Sequence, residues 1–183
     1  MWQRIIQFWR AINAKIKFED KVIIQKHLNE QEQDLFFAMR IYDQRHVLNV
    51  AYTAQKIIKT EHILDIDKTL LIKACLLHDI GRTAQDVCLF DKVINVLLAK
   101  FLPQKSKQWS EKAQILQSVF PRSFWQRRRF AMFVYYNHAQ LGAKKLETIG
   151  LVEIANIIKY HHSPFNDNMK KELQILCRAD SLN

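Results

Sequence analysis

Glycine and proline are scarce, with three of each in 183 residues. Few tight turns are therefore available, which argues against a many-stranded sandwich or barrel and for long helices. Cysteine is equally scarce. Cys75, Cys88 and Cys177 are odd in number and contain no C-x-x-C pair, which argues against a disulfide framework or a thiolate zinc knuckle and for reduced, buried thiols. No run approaches the ~18 to 20 uninterrupted apolar residues that cross a bilayer, and the N-terminus has no apolar stretch leading to a small-residue cleavage site. These absences place the expected protein in the cytoplasm. Acids are the last shortage, 18 against 28 Lys and Arg, for a formal charge of +10.

What the chain does have is apolar material, 49% of its residues, enough for one well-buried core at this length. The expected class is all-α, a single helical domain at 31–183 with an N-terminal helical extension at 1–30. In the extension, "WQRIIQFWRAINAKIK" at 2–17 puts Trp2, Ile5, Ile6, Trp9, Ile12 and Ile16 on one helical face with cationic flanks. Such a face suits docking on the body of the protein, a partner or second-copy contact, or a membrane surface.

Asn29 is placed to cap a helix over about 31–42, and Val47, Val50, Ala51, Ala54, Ile57 and Ile58 predict another over about 45–60 with His46 in its first turn. Asp65 or Asp67 can cap "KTLLIKACLLHDI", which Gly81 is suited to end. Residues 88–102 form a further apolar helix closed by Pro103. The stretch from Arg122 to Gly150 reads as two helices, or one bent near His138, with Gly142 and Gly150 as candidate breaks. Shorter helices follow at "LVEIANIIKYHH" and "NMKKELQILCRADSL".

The cationic excess is concentrated. Between 100 and 130, Lys100, Lys105, Lys107, Lys112, Arg122, Arg127, Arg128 and Arg129 face a single acid, Glu111. That segment would attract phosphates on small substrates, nucleic acid or an anionic surface, or it is a solvated helix face.

Metal-ligand side chains fall at or near helix ends. His46, His78, Asp79, His138, His161, His162 and Asp180 form a mixed nitrogen and oxygen set that suits iron, manganese, zinc or nickel. An all-oxygen shell would instead suit magnesium or calcium. Asp180 is three residues from the chain end, where helices fray unless tied down.

In order along the chain stand "RHVLNVA" at 45–51, "HDIGR" at 78–82, "NHAQLGAKKL" at 137–146, "KYHHS" at 159–163 and "CRADSL" at 177–182. Over roughly residues 40–183 this series resembles the HD-domain metal-dependent phosphohydrolase superfamily. The resemblance implies an all-helical bundle around one or two divalent ions, two being favoured by the complete ligand set. His46, His78, Asp79 and Asp180 match the ligands of a first ion, and His138, His161 and His162 those of a second, with Asp79 shared between them. Arg82 matches a basic position that would neutralise phosphate oxygens.

The implied activity is hydrolysis of a phosphomonoester or phosphodiester, of a small nucleotide-like substrate, by water acidified between two cations. The alternative is a metal-binding module that senses a nucleotide or protein partner. After "HHS" the chain reads "PFNDN" rather than the Gly-Tyr-Pro of cyclic-di-GMP relatives, and it has no Glu-Asp pair of the guanosine-polyphosphate kind.

Overall fold

The computed structural model describes residues 14–164, 166 and 168–183, and among the described residues it contains helices and no strands. α1 (Phe18–His27) begins where the Asp20 carboxylate accepts from the Lys17 N–H at 2.6 Å. α2 (Glu30–Phe37) has the cap expected of Asn29, whose side chain accepts from the Glu32 N–H at 2.9 Å while Glu32 accepts from the Asn29 N–H at 2.7 Å. The helix expected over 2–17 lies outside the described residues except for 14–17, which are not helical.

α3 (Ile41–Thr60) starts earlier than its apolar spacing suggested. The break falls at 38–40 because Gln44 donates to the Met39 carbonyl at 2.8 Å, satisfying backbone exposed after α2 ends. His46 consequently stands in the second turn of α3 rather than the first. α4 (Lys68–Leu77) is capped by Asp67, which accepts from the Leu70 N–H at 2.9 Å.

α5 (Leu89–Phe101) ends as expected, and Pro103 is also the first residue of α6 (Pro103–Ala113), where its missing N–H costs nothing. α7 (Phe124–Thr148) is one continuous helix through both His138 and Gly142, neither of which breaks it. Gly150, at φ +80°, follows its end. α8 (Val152–Lys159) and α9 (Lys171–Ser181) complete the fold.

α4 is the hub. Leu71, Ile72, Ala74, Cys75, Leu76 and Leu77 are buried, and α1, α2, α3, α8 and α9 all pack on it. α1 belongs to the same core, entering it through Ile23 and Ile24. A second, smaller cluster of Val87, Ala113, Phe130, Ala131, Phe133 and Val134 joins the segment before α5, the end of α6 and the first half of α7, and α5 packs on both of those helices. The chain end is tied down, since Asn183 donates to Thr53 Oγ1 at 2.9 Å and to the Ala179 carbonyl at 2.8 Å. The last turn of α9, with Asp180, is thereby fixed against α3.

Two glycines allow α7 to lie against the turn that follows α4. A Cβ on Gly81 would stand 2.0 Å from the His138 carbonyl oxygen, and one on Gly142 would stand 3.2 Å from the Gly81 nitrogen. Close backbone approach, not a left-handed helix cap, is what position 81 requires.

Candidate metal centre

His78 is the C-cap of α4, and its Nδ1 lies 2.9 Å from the Cys75 carbonyl. His138 repeats the arrangement with the Tyr135 carbonyl at 3.0 Å, and His161 with that of Ile158 at 2.5 Å. Each ring is thus tethered to the carbonyl three residues earlier. A carbonyl can only accept, so Nδ1 carries the proton and Nε2 keeps a lone pair. Helix geometry sets the tautomer as well as the direction of each ring.

Those lone pairs converge. Three sets of potential ligand atoms, each mutually within 4.8 Å, are formed by His46, His78 and Asp79, by His78, His161 and Asp180, and by His138, His161 and His162. His46 Nε2 is 2.9 Å from Asp180 Oδ1, which is 3.7 Å from His78 Nε2. Asp79 faces both ways, with Oδ1 3.4 Å from His138 Nε2 and Oδ2 3.9 Å from His78 Nε2. His138 and His162 bring their Nε2 atoms to 2.8 Å.

All seven residues expected to bind metal are therefore in one cluster. The division differs in one respect from that implied by the resemblance, because His161 adjoins His78 and Asp180 as well as His138 and His162.

Among the described residues, His78 Nε2, His161 Nε2 and Asp79 Oδ1 are buried without a hydrogen-bond partner. Burying a polar atom unpaired is costly, and three pointing into one cluster are better explained by a cation that satisfies them. The mixed donor set fits a divalent transition metal.

The electrostatics agree. Burial opposes ionisation of Asp79, but Arg82, with the nearby imidazoles, holds its carboxyl well below the usual range. Asp180 is likewise lowered, its burial outweighed by the hydrogen bond from His46 and the neighbouring His78. Burial pushes His161 down to about 3, with His78 and His162 adding to the effect. His138 and His162 are lowered first by burial and then by the Arg82 charge. At neutral pH these carboxylates are ionised and these three imidazoles neutral, the states that ligate metals.

Arg82 is at the centre, but engaged with the protein. Its Nη1 is 2.5 Å from Asp79 Oδ2 and its Nη2 2.9 Å from His138 Nε2. The neighbours of His46 are occupied elsewhere, Arg45 with Asp20 and Asp43 with Lys92.

Lys92 is the residue that sequence reasoning missed. It lines a cavity of about 110 Å³ beside Arg82, together with Val87, Asn95, Val96, Val134 and Tyr135. A signal existed: Asp91, Lys92 and Asn95 interrupt an otherwise apolar helix, and Asp91 and Asn95 are buried while Phe90, Val93, Leu97 and Phe101 are exposed.

The basic segment is partly neutralised. Arg122 pairs with Asp86 at 3.0 Å and Arg128 with Asp91 at 2.9 Å, whereas Arg127 and Arg129 are exposed. Among the described residues, no helix is long and apolar enough to cross a membrane.

Residues 44–183 match the family model of the HD domain. No match was found among curated proteins or solved structures.

Proposed function

The chain belongs to the HD-domain family, whose superfamily is one of metal-dependent phosphohydrolases, and from that premise we propose that it hydrolyses a phosphomonoester or phosphodiester of a small, nucleotide-like substrate. The catalytic unit in this reading is 31–183, with 1–30 as a helical extension. His46, His78, Asp79 and Asp180 would hold a first divalent ion and His138, His161 and His162 a second, with Asp79 shared. The observation that carries the reading is the convergence of three buried atoms without hydrogen-bond partners, on His78, His161 and Asp79, in a cluster where backbone carbonyls set the tautomers of His78, His138 and His161.

Divalent ions bound there would acidify water and neutralise phosphate oxygens. The chain supplies the rest. Asp79 stays ionised next to Arg82, and the buried His138 and His161 stay neutral, so these three side chains are in ligating form at neutral pH. Arg82 can turn from Asp79 and His138 toward a phosphate oxygen, a charge-assisted donor at the boundary between cluster and cavity.

Metal content per chain, measured on protein purified without chelator or affinity-tag nickel, tests the reading together with manganese- and iron-dependent hydrolysis of a generic phosphodiester and a nucleotide panel. Near two ions with turnover is the expected result. No metal after reconstitution would overturn it. A second reading, a sensor module that binds metal without catalysis, draws on the two contacts by which Arg82 already satisfies Asp79 Oδ2 and His138 Nε2. Bound metal without turnover on any substrate would favour that module.

A further inference from the structure

The cavity between α5 and α7 is separated from the ligand cluster by one side chain. Arg82 forms part of the cavity lining while its guanidinium contacts Asp79 and His138. At about 110 Å³ the cavity has room for about three or four waters. It is well below the ~300 to 1,000 Å³ of a complete small-molecule site. It can house one group of a substrate, not the whole.

Lys92 lines the same cavity and is held there by its surroundings. Its Nζ is ion-paired with Asp43, a carboxylate 1% exposed, and lies 4.8 Å from the centre of the Tyr42 ring. Asp43 takes only part of what an ammonium with three N–H groups can donate. Burial pushes the Lys92 ammonium below its usual range, partly offset by Asp43, and the Arg82 charge adds to the lowering. Two cations thus repel across a small cavity. Val87, Val96 and Val134 line it with apolar surface that offers neither charge a partner. An anion between Arg82 and Lys92 would relieve the repulsion.

We propose that Lys92 and Arg82 form a seat for a second anionic group of the substrate, so that the preferred substrate carries a phosphoryl or similar anion next to the phosphate presented to the metal cluster. This rests on the phosphohydrolase reading above. Arg82 would contact both groups, and Lys92 the distal one alone. Lys92 is a specificity residue in this scheme, remote from the bond that breaks. A nucleoside diphosphate or bisphosphate satisfies the requirement, whereas a substrate with a lone phosphate leaves the seat empty.

The test is calorimetric titration of the metal-loaded protein with inorganic phosphate and with pyrophosphate, metal content being measured again after each titration to exclude extraction of the ions. Pyrophosphate should bind at least about tenfold more tightly, the margin expected of one added charge-assisted contact. Because Lys92→Met alone would leave Asp43 buried and unpaired, the variant to use is Asp43→Asn with Lys92→Met. That variant should keep its metals and lose the margin, while Lys92→Arg should retain it. Equal affinities in the parent, or a margin that survives the double substitution, would overturn the seat. The readout is binding, so the two readings fail separately: a protein that keeps the margin but hydrolyses nothing refutes the hydrolase, and one that hydrolyses without the margin refutes the seat.

Discussion

Helix α7 passes through two unlike environments. Its second half lies on the main core, where Ala143 and Leu146 join a cluster that surrounds α4. Its first half lies on a much smaller cluster, and the neighbouring α5 leaves Phe90, Phe101 and Leu97 at 67%, 70% and 48% exposure. His138 marks the crossing. The metal-ligand side chains come from the main-core side and from the crossing, and the cavity with Lys92 belongs to the other side. A close-packed interior holds ligand atoms within tenths of an ångström, and a thinner layer leaves substrate groups room to enter. The two regions divide positioning from accommodation.

The largest effect should come from breaking the centre where the regions meet. Asp79 faces His78 on one side and His138 on the other. Asp79→Ala should therefore lose both ions and reduce turnover to background, while His138→Ala should mainly empty the second set. Metal analysis of the two variants checks this, and parental metal content in Asp79→Ala would refute the shared-ligand role.

Next in size is the backbone contact that brings α7 to the ligand turn. With the His138 carbonyl oxygen 2.0 Å from where its Cβ would be, Gly81→Ala must move backbone rather than a flexible side chain. A destabilisation of about 3 kcal/mol is expected, with weaker metal binding. Gly150→Ala is the control, because its φ of +80° costs strain but nothing lies within 4 Å of the added methyl. Its cost should be about 1 kcal/mol, with metal affinity unchanged. Urea denaturation and metal titration of both variants separate packing from conformational strain.

How much of this was legible in sequence depends on the same two regions. The stripe of Val47, Val50, Ala51, Ala54, Ile57 and Ile58 announced α3 correctly, because its periodic apolar face does point into the main core. The clustering of the candidate ligand residues was legible because their types are uncommon together, although His138 lies midway along α7 and not at a helix end. Three things were not. The start of α3 depends on a Gln44 side chain bonding to backbone outside its own helix. The continuity of α7 through Gly142 depends on its contact with Gly81 and α8, which outweighs glycine's poor helix propensity. In α5 the polar residues face inward, since Asn95 donates to the Ala131 carbonyl at 3.0 Å and Asp91 pairs with Arg128. The hydrophobic pattern reported the helix but not which side of it is buried, because that side is held by hydrogen bonds and an ion pair.

A gentler perturbation is acid. His161 is held down to about 3 by burial, and His138 and His162 are also lowered. Below their ordinary value of about 6.5 these groups take up protons in the unfolded chain before they do so in the folded one. Metal-free protein should therefore lose stability as pH falls from about 6.5 toward 3, with His161 contributing up to about 1.4 kcal/mol per pH unit and His138 and His162 acting in the same direction. Asp79 acts in the same direction at lower pH, its contribution vanishing as the carboxylate protonates. The midpoint of thermal melts should fall across that range as pH is lowered, and His161→Gln should flatten the dependence. A stability independent of pH in the metal-free protein would contradict the buried neutral state.

The smallest effect is expected at the start of α7, and it decides what the basic segment is for. Reversing all three of Arg127, Arg128 and Arg129 would confuse the answer, because Arg128 pairs with Asp91, which is 3% exposed, and its loss would unbalance the small cluster. Arg127 and Arg129 are exposed and can be changed alone. Arg127→Glu with Arg129→Glu should alter stability by no more than about 0.5 kcal/mol and leave hydrolysis of a small substrate unchanged. A fall in turnover on the small substrate would extend the substrate's footprint well beyond the Lys92 cavity. Loss only of a steeply salt-dependent affinity for nucleic acid would assign these charges to a polymer partner, and with it a purpose for the more exposed of the two regions.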